Sequence, residues 1–360
     1  MKVLHLPQSV AGNAHGLSQG ERRLGLDSQV LALYSRPFGY PADIEYRLDG
    51  RSLPVRLLGH FEAFVRYRSG YDVFHFNGGA TPLHFRSYGL ILLDLPFYDR
   101  DARKFFTFQG DDARPSRATD RRADVDNARK RRAIEKAARH ADHLFALNPD
   151  LLAYLPEGMS SFLPYTIPTY YTSVGYKHDF FVDDRVRVVH APSNRAAKGS
   201  HHVFAAIEKL QEELADRFVF ETIEGVSNSE AQQRIARADL LIDQLLIGWY
   251  GGVAVEAMRM GVPVAVYVDH SKLERVPQRM VADFPFIHVT ADTLRDRLRA
   301  ILRDRDQLKE AGRRARDYVE RWHDPEMVAG VVANAYATGR PGPLEPRRNR
   351  ICIDHPAGNS

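Results

Sequence analysis

Residues 248–258, Gly-Trp-Tyr-Gly-Gly-Val-Ala-Val-Glu-Ala-Met, place two adjacent glycines ahead of a short apolar helical stretch that bears one carboxylate, Glu256. Glycine allows close backbone approach, and the first amides of a helix have no acceptor within it. Tyr250, Gly251 and Gly252 therefore offer donors to an anion, with the positive end of a helix dipole behind them. Glu256 lies four residues beyond Gly252, about 6 Å along the axis at roughly 1.5 Å rise per residue. A second segment, Ala-Pro-Ser-Asn-Arg-Ala-Ala-Lys-Gly-Ser (191–200), sets Arg195 and Lys198 directly before a helical pattern, so two cations and a helix start can share a phosphate. Glu224 and Asp243 end the strand-like runs between these segments and, with Gly12 from the N-terminal half, complete the candidate ligand-binding set.

The N-terminal half supplies three more loops of this kind. Gly12, Asn13, His15 and Gly16 follow one strand-like run, Asn77, Gly78 and Gly79 another, and Gln109, Gly110, Asp111 and Asp112 a third. Ligands of open parallel sheets bind beyond the carboxyl ends of the strands, so such loops describe one wall of a cleft. His15, whose imidazole titrates near neutrality, is the leading catalytic candidate, with Gln109 and Asp111 beside it. Asn13, Asn77 and Asp112 are the further binding candidates on this wall. Plainer readings stand next to these: glycines that only tighten turns, a solvated Arg195 and Lys198, and a buried Glu256 satisfied by neighbouring amides, since a lone buried carboxylate must pair or shift its pKa.

Short β-branched and aromatic runs alternate with longer amphipathic ones, as in βα units around a parallel sheet. Strands are expected at 2–6, 28–33, 72–76, 104–108 and 143–147, then at 185–191, 218–223, 239–244 and 262–268. Asn148-Pro149 is expected to cap and open a helix, and Gly261 to end the one that carries Glu256. The domains are placed at 1–165 and 185–339, joined by 166–184, with the last helix packing back on the first domain and a flexible tail at 340–360.

The chain has 360 residues, 44% hydrophobic and 27% charged, enough for two cores, and its formal charge of +4 is too modest for a nucleic-acid binder. One cysteine, Cys352, excludes an intrachain disulfide and fits a cytoplasmic protein. The apolar runs 88–97 and 245–268 are too short or too interrupted to span a bilayer and read as buried core. Asp-x-Asp patterns at 99–101, 124–126 and 304–306 fall in charged stretches and read as solvated surface, so no metal and no cofactor is expected. The basic run 127–140 reads as a solvated helix or, alternatively, as a peripheral contact with anionic lipid.

The segment Gly-Trp-Tyr-Gly-Gly-Val-Ala-Val-Glu-Ala-Met-Arg-Met-Gly-Val-Pro-Val-Ala-Val-Tyr, together with Lys198-Gly199, resembles the donor site of GT-B glycosyltransferases, particularly glycosyltransferase family 4, over residues 1 to about 335. The resemblance implies two Rossmann-like domains facing each other across a cleft. It implies retaining, metal-independent transfer from a nucleotide-diphosphate-sugar to a glycan, lipid-linked or small-molecule acceptor. Glu256 would grip the ribose, the set around it would bind the donor, and Asn13, Asn77 and Asp112 would bind the acceptor. Gly248 stands where the family has its first glutamate and Ser193 where it has its arginine, leaving Asp243 or Gln244 to replace the former. A GT-B epimerase or hydrolase, or a non-catalytic nucleotide-sugar-binding module, remains the alternative.

Overall fold

The alternating patterns fold into two all-parallel sheets in the computed structural model, which describes residues 1–35, 38–116, 122–171, 179–181 and 184–347. The first sheet contains β1 (Lys2–Leu6), β2 (Asp27–Ala32), β3 (Ile44–Glu45), β4 (Val73–Asn77), β5 (Arg103–Phe108), β6 (His143–Ala146) and β7 (Ser160–Phe162), in the order β3-β2-β1-β4-β5-β6-β7. Its helices are α1 (Asn13–Arg23), α2 (Leu53–Tyr67) and α3 (Ala123–His140). Both faces of the sheet are covered, so every residue of β4 and all of β5 but Arg103 are buried. Their phenylalanines form the core, with the Phe76 and Phe106 rings 4.7 Å apart.

The second sheet contains β8 (Val186–His190), β9 (Phe218–Thr222), β10 (Leu240–Ile242), β11 (Val264–Val266) and β12 (Ile287–His288), in the order β12-β11-β10-β8-β9. Around it lie α4 (Arg195–Lys198), α5 (Ser200–Leu214), α6 (Asn228–Ala236), α7 (Gly252–Arg259), α8 (Gln278–Ala282), α9 (Leu294–Arg303) and α10 (Gln307–Trp322). Strand order reverses between β1 and β4 in one sheet and between β8 and β10 in the other. A crevice opens beyond the strand ends at such reversals.

The last helix, α11 (Pro325–Thr338), returns to the first domain. It lies so close to α1 that a Cβ at Gly20 would overlap the Pro325 carbonyl. Tyr336 then donates to Glu21 (2.8 Å) and meets His75 Nδ1 (2.7 Å). Glu21 also takes His5 Nε2 (2.8 Å) and Ser28 Oγ (2.5 Å), so a fully buried carboxylate is satisfied by three donors. Burial pushes His75 well below its ordinary pKa, with His5 adding to the effect. Beyond α11 the chain lies along the protein up to Arg347, whose guanidinium pairs with Asp324 and with Glu326 (3.1 Å). Residues 348–360 of the expected tail, and 172–178 and 182–183 of the expected connection, lie outside the described residues.

Two expectations are corrected. Asn148-Pro149 opens a 3₁₀ turn, Pro149–Ala153, rather than an α-helix, and the Asn148 side chain caps nothing. Its amide donates instead to the Gln109 carbonyl (2.5 Å). Within 88–97, Ile91, Leu92 and Leu95 are buried as expected, but Tyr88, Leu90, Leu93 and Phe97 are exposed. The buried Asp94 pins this segment by accepting from Thr81 Oγ1 and from Leu83 N (3.1 Å), and a short turn, Leu95–Phe97, follows. Gly261 has φ 81°, as expected of the residue that ends α7. Among the described residues no helix is long and apolar enough to cross a membrane.

Candidate active site

A cavity of about 730 Å³ lies between the facing strand ends. The first domain lines it with residues after β1 (Gln8 to Ala11), β2 (Tyr34, Tyr40), β5 (Gln109, Arg114), β6 (Asn148) and β7 (Tyr165). The second lines it with residues after β8 (Ala191 to Ser193, Lys198), β9 (Glu224, Gly225) and β10 (Gln244, Ile247), and with the start of α7 through Glu256.

On the second-domain wall, Lys198 and the start of α7 come together through Asp243. Lys198 Nζ lies 2.5 Å from Asp243 Oδ1, and Gly251 N donates to Asp243 Oδ2 (2.8 Å). Asp243 is thus buried behind the wall, spent on positioning the lysine and the glycine turn, and it is Gln244 that faces the cavity. The unpaired amides lie one residue further along than expected. Among the described residues the amides of Gly252 and Val253, both cavity-lining, have no backbone acceptor, whereas Gly251 N is taken. Tyr250 is not at the cavity; its ring is fully buried and its hydroxyl meets Tyr318 (2.9 Å) and His323 (3.0 Å).

Glu256, one turn into α7, is 4% exposed. Its Oε1 accepts from Asn228 Nδ2 (3.0 Å) and Gln232 Nε2 (3.1 Å), two residues one turn apart on α6. Burial pushes its carboxyl up to about 7, against the pull of those two hydrogen bonds and of the Lys198 charge. Gly248 has φ 86°, and a Cβ there would fall 2.7 Å from Asp269 Cβ. Both facts exclude a larger side chain, so the glutamate that the resemblance expects at this position has no place in this backbone. Glu224 lines the cavity, but Arg195 does not: it is largely exposed and engages Glu224 from outside, Nε to Oε1 at 2.9 Å.

On the first-domain wall, Gln109 stands at the cavity with both amide atoms buried and without a partner among the described residues. Beside it Arg114 forms a bidentate pair with Asp150 (2.7 and 3.0 Å). The other candidates from this half are not brought to the cavity. His15 lies on α1, its pKa lowered by burial, with Asp43 and Arg22 as its charged neighbours. Asp111 is exposed, its side chain 85% accessible. Asp112 is half-buried and accepts from the Gln109 and Gly110 amides (2.9 and 2.7 Å), which shapes the loop and so aims Gln109. Asn13 ties the β1–α1 turn to Thr166 N (2.9 Å), Asn77 donates to the His75 carbonyl (3.1 Å), and Gly12, at φ 68°, packs on Pro168. The loop glycines and amides of this half thus build the turns, and Gln8 to Ala11 reach the cavity in their place.

Arg114, Tyr40, Asn228 and Gln232 escape the sequence reading. Asn228 and Gln232 are four apart at the start of a helical pattern, a spacing that puts two amides on one face toward a common partner. Arg114, five residues after Gln109, had the signal of a cation closing a glycine-aspartate turn.

No protein-family model matches the chain, and no curated protein matches it in sequence. Solved structures do. Sucrose-phosphate synthase from Thermosynechococcus elongatus aligns over 94% of this chain and 98% of its own, with 16% identity and a TM-score of 0.61. An alpha-glucosyltransferase solved with UDP and a DNA 13-mer aligns over 93% and 98%, with 11% identity and a TM-score of 0.62. The UDP-GlcNAc 2-epimerase from Neisseria meningitidis, bound to UDP-GlcNAc, aligns over 94% and 100%, with 12% identity and a TM-score of 0.53. The two facing parallel-sheet domains of this chain have the GT-B fold.

Proposed function

We propose that the protein transfers a sugar from a nucleotide-diphosphate-sugar to an acceptor hydroxyl. The observation that carries this reading is the conjunction of Lys198, the free amides at the start of α7 and Glu256 on one wall of an interdomain cavity. The amides of Gly252 and Val253, with Lys198 beside them, receive the diphosphate, and Glu256 accepts from the ribose hydroxyls. UDP and UDP-GlcNAc in structures of the same fold support a donor of this class.

In the transfer, the bond from the anomeric carbon to the diphosphate oxygen breaks and a bond to the acceptor oxygen forms on the same face. The acceptor proton passes to the departing phosphate. Charge that develops on the leaving group meets preoriented dipoles, and one such donor commonly contributes about 2.7–4 kcal/mol to a transition state. Gln109 and Arg114, on the opposite wall, are the groups placed to orient the acceptor. This assigns the leaving group to amides and a lysine rather than to a metal.

Epimerases share the fold, so epimerisation or hydrolysis of the donor is the second reading. The test is thermal: UDP, GDP or ADP raises the melting temperature of the wild type and not of Glu256→Ala. Indifference of the wild type to all three nucleotides defeats both enzyme readings. Conversion of the donor to an epimer without acceptor selects the second.

A further inference from the structure

Helix α2 is docked the wrong way round for a soluble helix. Its small residues Gly59 and Ala63, with His60, face inward, and a Cβ at Gly59 would fall 2.7 Å from Leu48. Its large apolar residues face out. Leu53, Leu57, Leu58, Phe61 and Val65 recur at a spacing that puts them on one stripe, with Leu58 66% and Phe61 55% exposed. The stripe continues through rings: Phe61 to Phe64 at 6.5 Å, and Phe64 to Phe97 at 6.4 Å, which is 63% exposed. The outward side chains of 88–97 extend it toward α3. There Arg129 borders Gly89, and Lys136 donates to the Ile91 carbonyl (3.2 Å). Exposed apolar area of this extent is uncommon on a monomer and marks a contact surface.

The charge around the stripe selects the occupant. Apart from the buried Lys130 and its partner Asp126, α2 and α3 together carry seven Lys and Arg residues against three Asp and Glu, among them Glu62, 3.9 Å from Arg66, and Glu135. A second copy of the chain docked by a twofold axis would bring two such positive faces together. Anionic headgroups complement them, while the apolar stripe enters the acyl boundary. The helix also borders the cleft: His60 Nε2 and Arg56 Nε bond the hydroxyl of cavity-lining Tyr34 at 2.7 and 3.3 Å.

We propose that α2 and the exposed side of 88–97 form a docking surface for an anionic lipid bilayer, with the basic residues of α3 at its rim. The surface stands without the transfer reading. That the acceptor is itself borne by the membrane rests on that reading.

The experiment is sedimentation of the full chain with phosphatidylcholine vesicles that contain or lack phosphatidylglycerol. The wild type pellets with the anionic vesicles, less so as salt rises. Leu58→Glu/Phe61→Glu lowers the partition coefficient by roughly tenfold or more, and Arg66→Ala by about fivefold. The double variant keeps its melting temperature and its nucleotide-induced shift, which shows that the fold and the donor site are intact. A wild type that stays in the supernatant, equal pelleting of wild type and double variant, or a concentration-dependent dimer that the double variant dissolves would each overturn the proposal. Vesicle binding without any nucleotide-induced shift would overturn the transfer reading alone.

Discussion

Glu256→Gln separates the carboxylate's charge from its shape, and the structure sets the size of the effect. Burial raises the carboxyl from an ordinary 4.5 to about 7. At about 1.4 kcal/mol per pH unit this gap amounts to about 3 kcal/mol. Below pH 4.5 the folded and unfolded states both hold the proton, and the group contributes nothing. Between 4.5 and 7 the folded protein keeps a proton that the unfolded chain has released, so stability falls as pH rises, and it levels off above 7. Gln at this position cannot titrate. In urea titrations from pH 4.5 to 7.5, the stability of Glu256→Gln relative to wild type therefore climbs by about 3 kcal/mol, while every other group cancels in the difference. Ligand binding reports the same proton. Ribose hydroxyls donate best to an ionised carboxylate, so nucleoside diphosphate binds the wild type more tightly as pH passes 7 and releases a proton as it does so. Glu256→Gln loses both the pH dependence and about 1.5–3 kcal/mol of affinity, roughly 10- to 150-fold. A flat stability difference, together with identical pH profiles of binding, refutes the placement of Glu256 at the ribose.

Three further outcomes are expected. Lys198→Ala leaves Asp243, 1% exposed, without its cation and destabilises the fold by about 3–5 kcal/mol. Lys198→Met/Asp243→Asn recovers most of that loss in the same chemical denaturation, and equal losses in the two would contradict the pairing. Gly248→Glu, which would restore the glutamate the resemblance expects, costs about 1–2 kcal/mol from its left-handed backbone alone and collides with Asp269; a gain in donor turnover would overturn the assignment of that turn. Tyr336→Phe removes a donor from buried Glu21 and costs about 1–3 kcal/mol, seen as a lower urea midpoint unless α11 is held by its apolar contacts alone.

What the sequence made legible was the part written in periodicity and glycine. Nine strands were read within a residue or two of their observed ends, because β-branched and aromatic runs bounded by turns have few other solutions. β3, β7 and β12 were not, being two or three residues long and made regular only by the neighbour they pair with. Lys198, Glu256 and the glycine turn were legible because a helix start and a cation have a local signature. Asn13, Asp112 and His15 are also polar residues just beyond strand ends, yet the first two bond to backbone amides and His15 lies on α1. Whether a loop side chain faces the cleft or its own turn is decided by partners far along the chain, Thr166 for Asn13 among them.

The pairing of cations in this cleft bears on how a diphosphate would be held under the proposed function. Lys198 is bonded to Asp243 and Arg114 to Asp150, so each cation that lines the cavity already has a carboxylate. The charge left over for a ligand is small, and what remains are the oriented amides of Gly252 and Val253 and the flank of the lysine. Oriented dipoles need no rearrangement to meet an incoming charge, and they act over the first helical turn rather than over a Debye length. Nucleoside diphosphate affinity, measured by titration calorimetry, is therefore expected to fall only shallowly with ionic strength. A steep fall would mean that Asp243 gives up Lys198 when the nucleotide arrives. In that case Lys198→Met/Asp243→Asn, which has no pair to break, would bind with a shallower salt dependence than the wild type, while equal steepness in both would place the decisive charge elsewhere in the cleft.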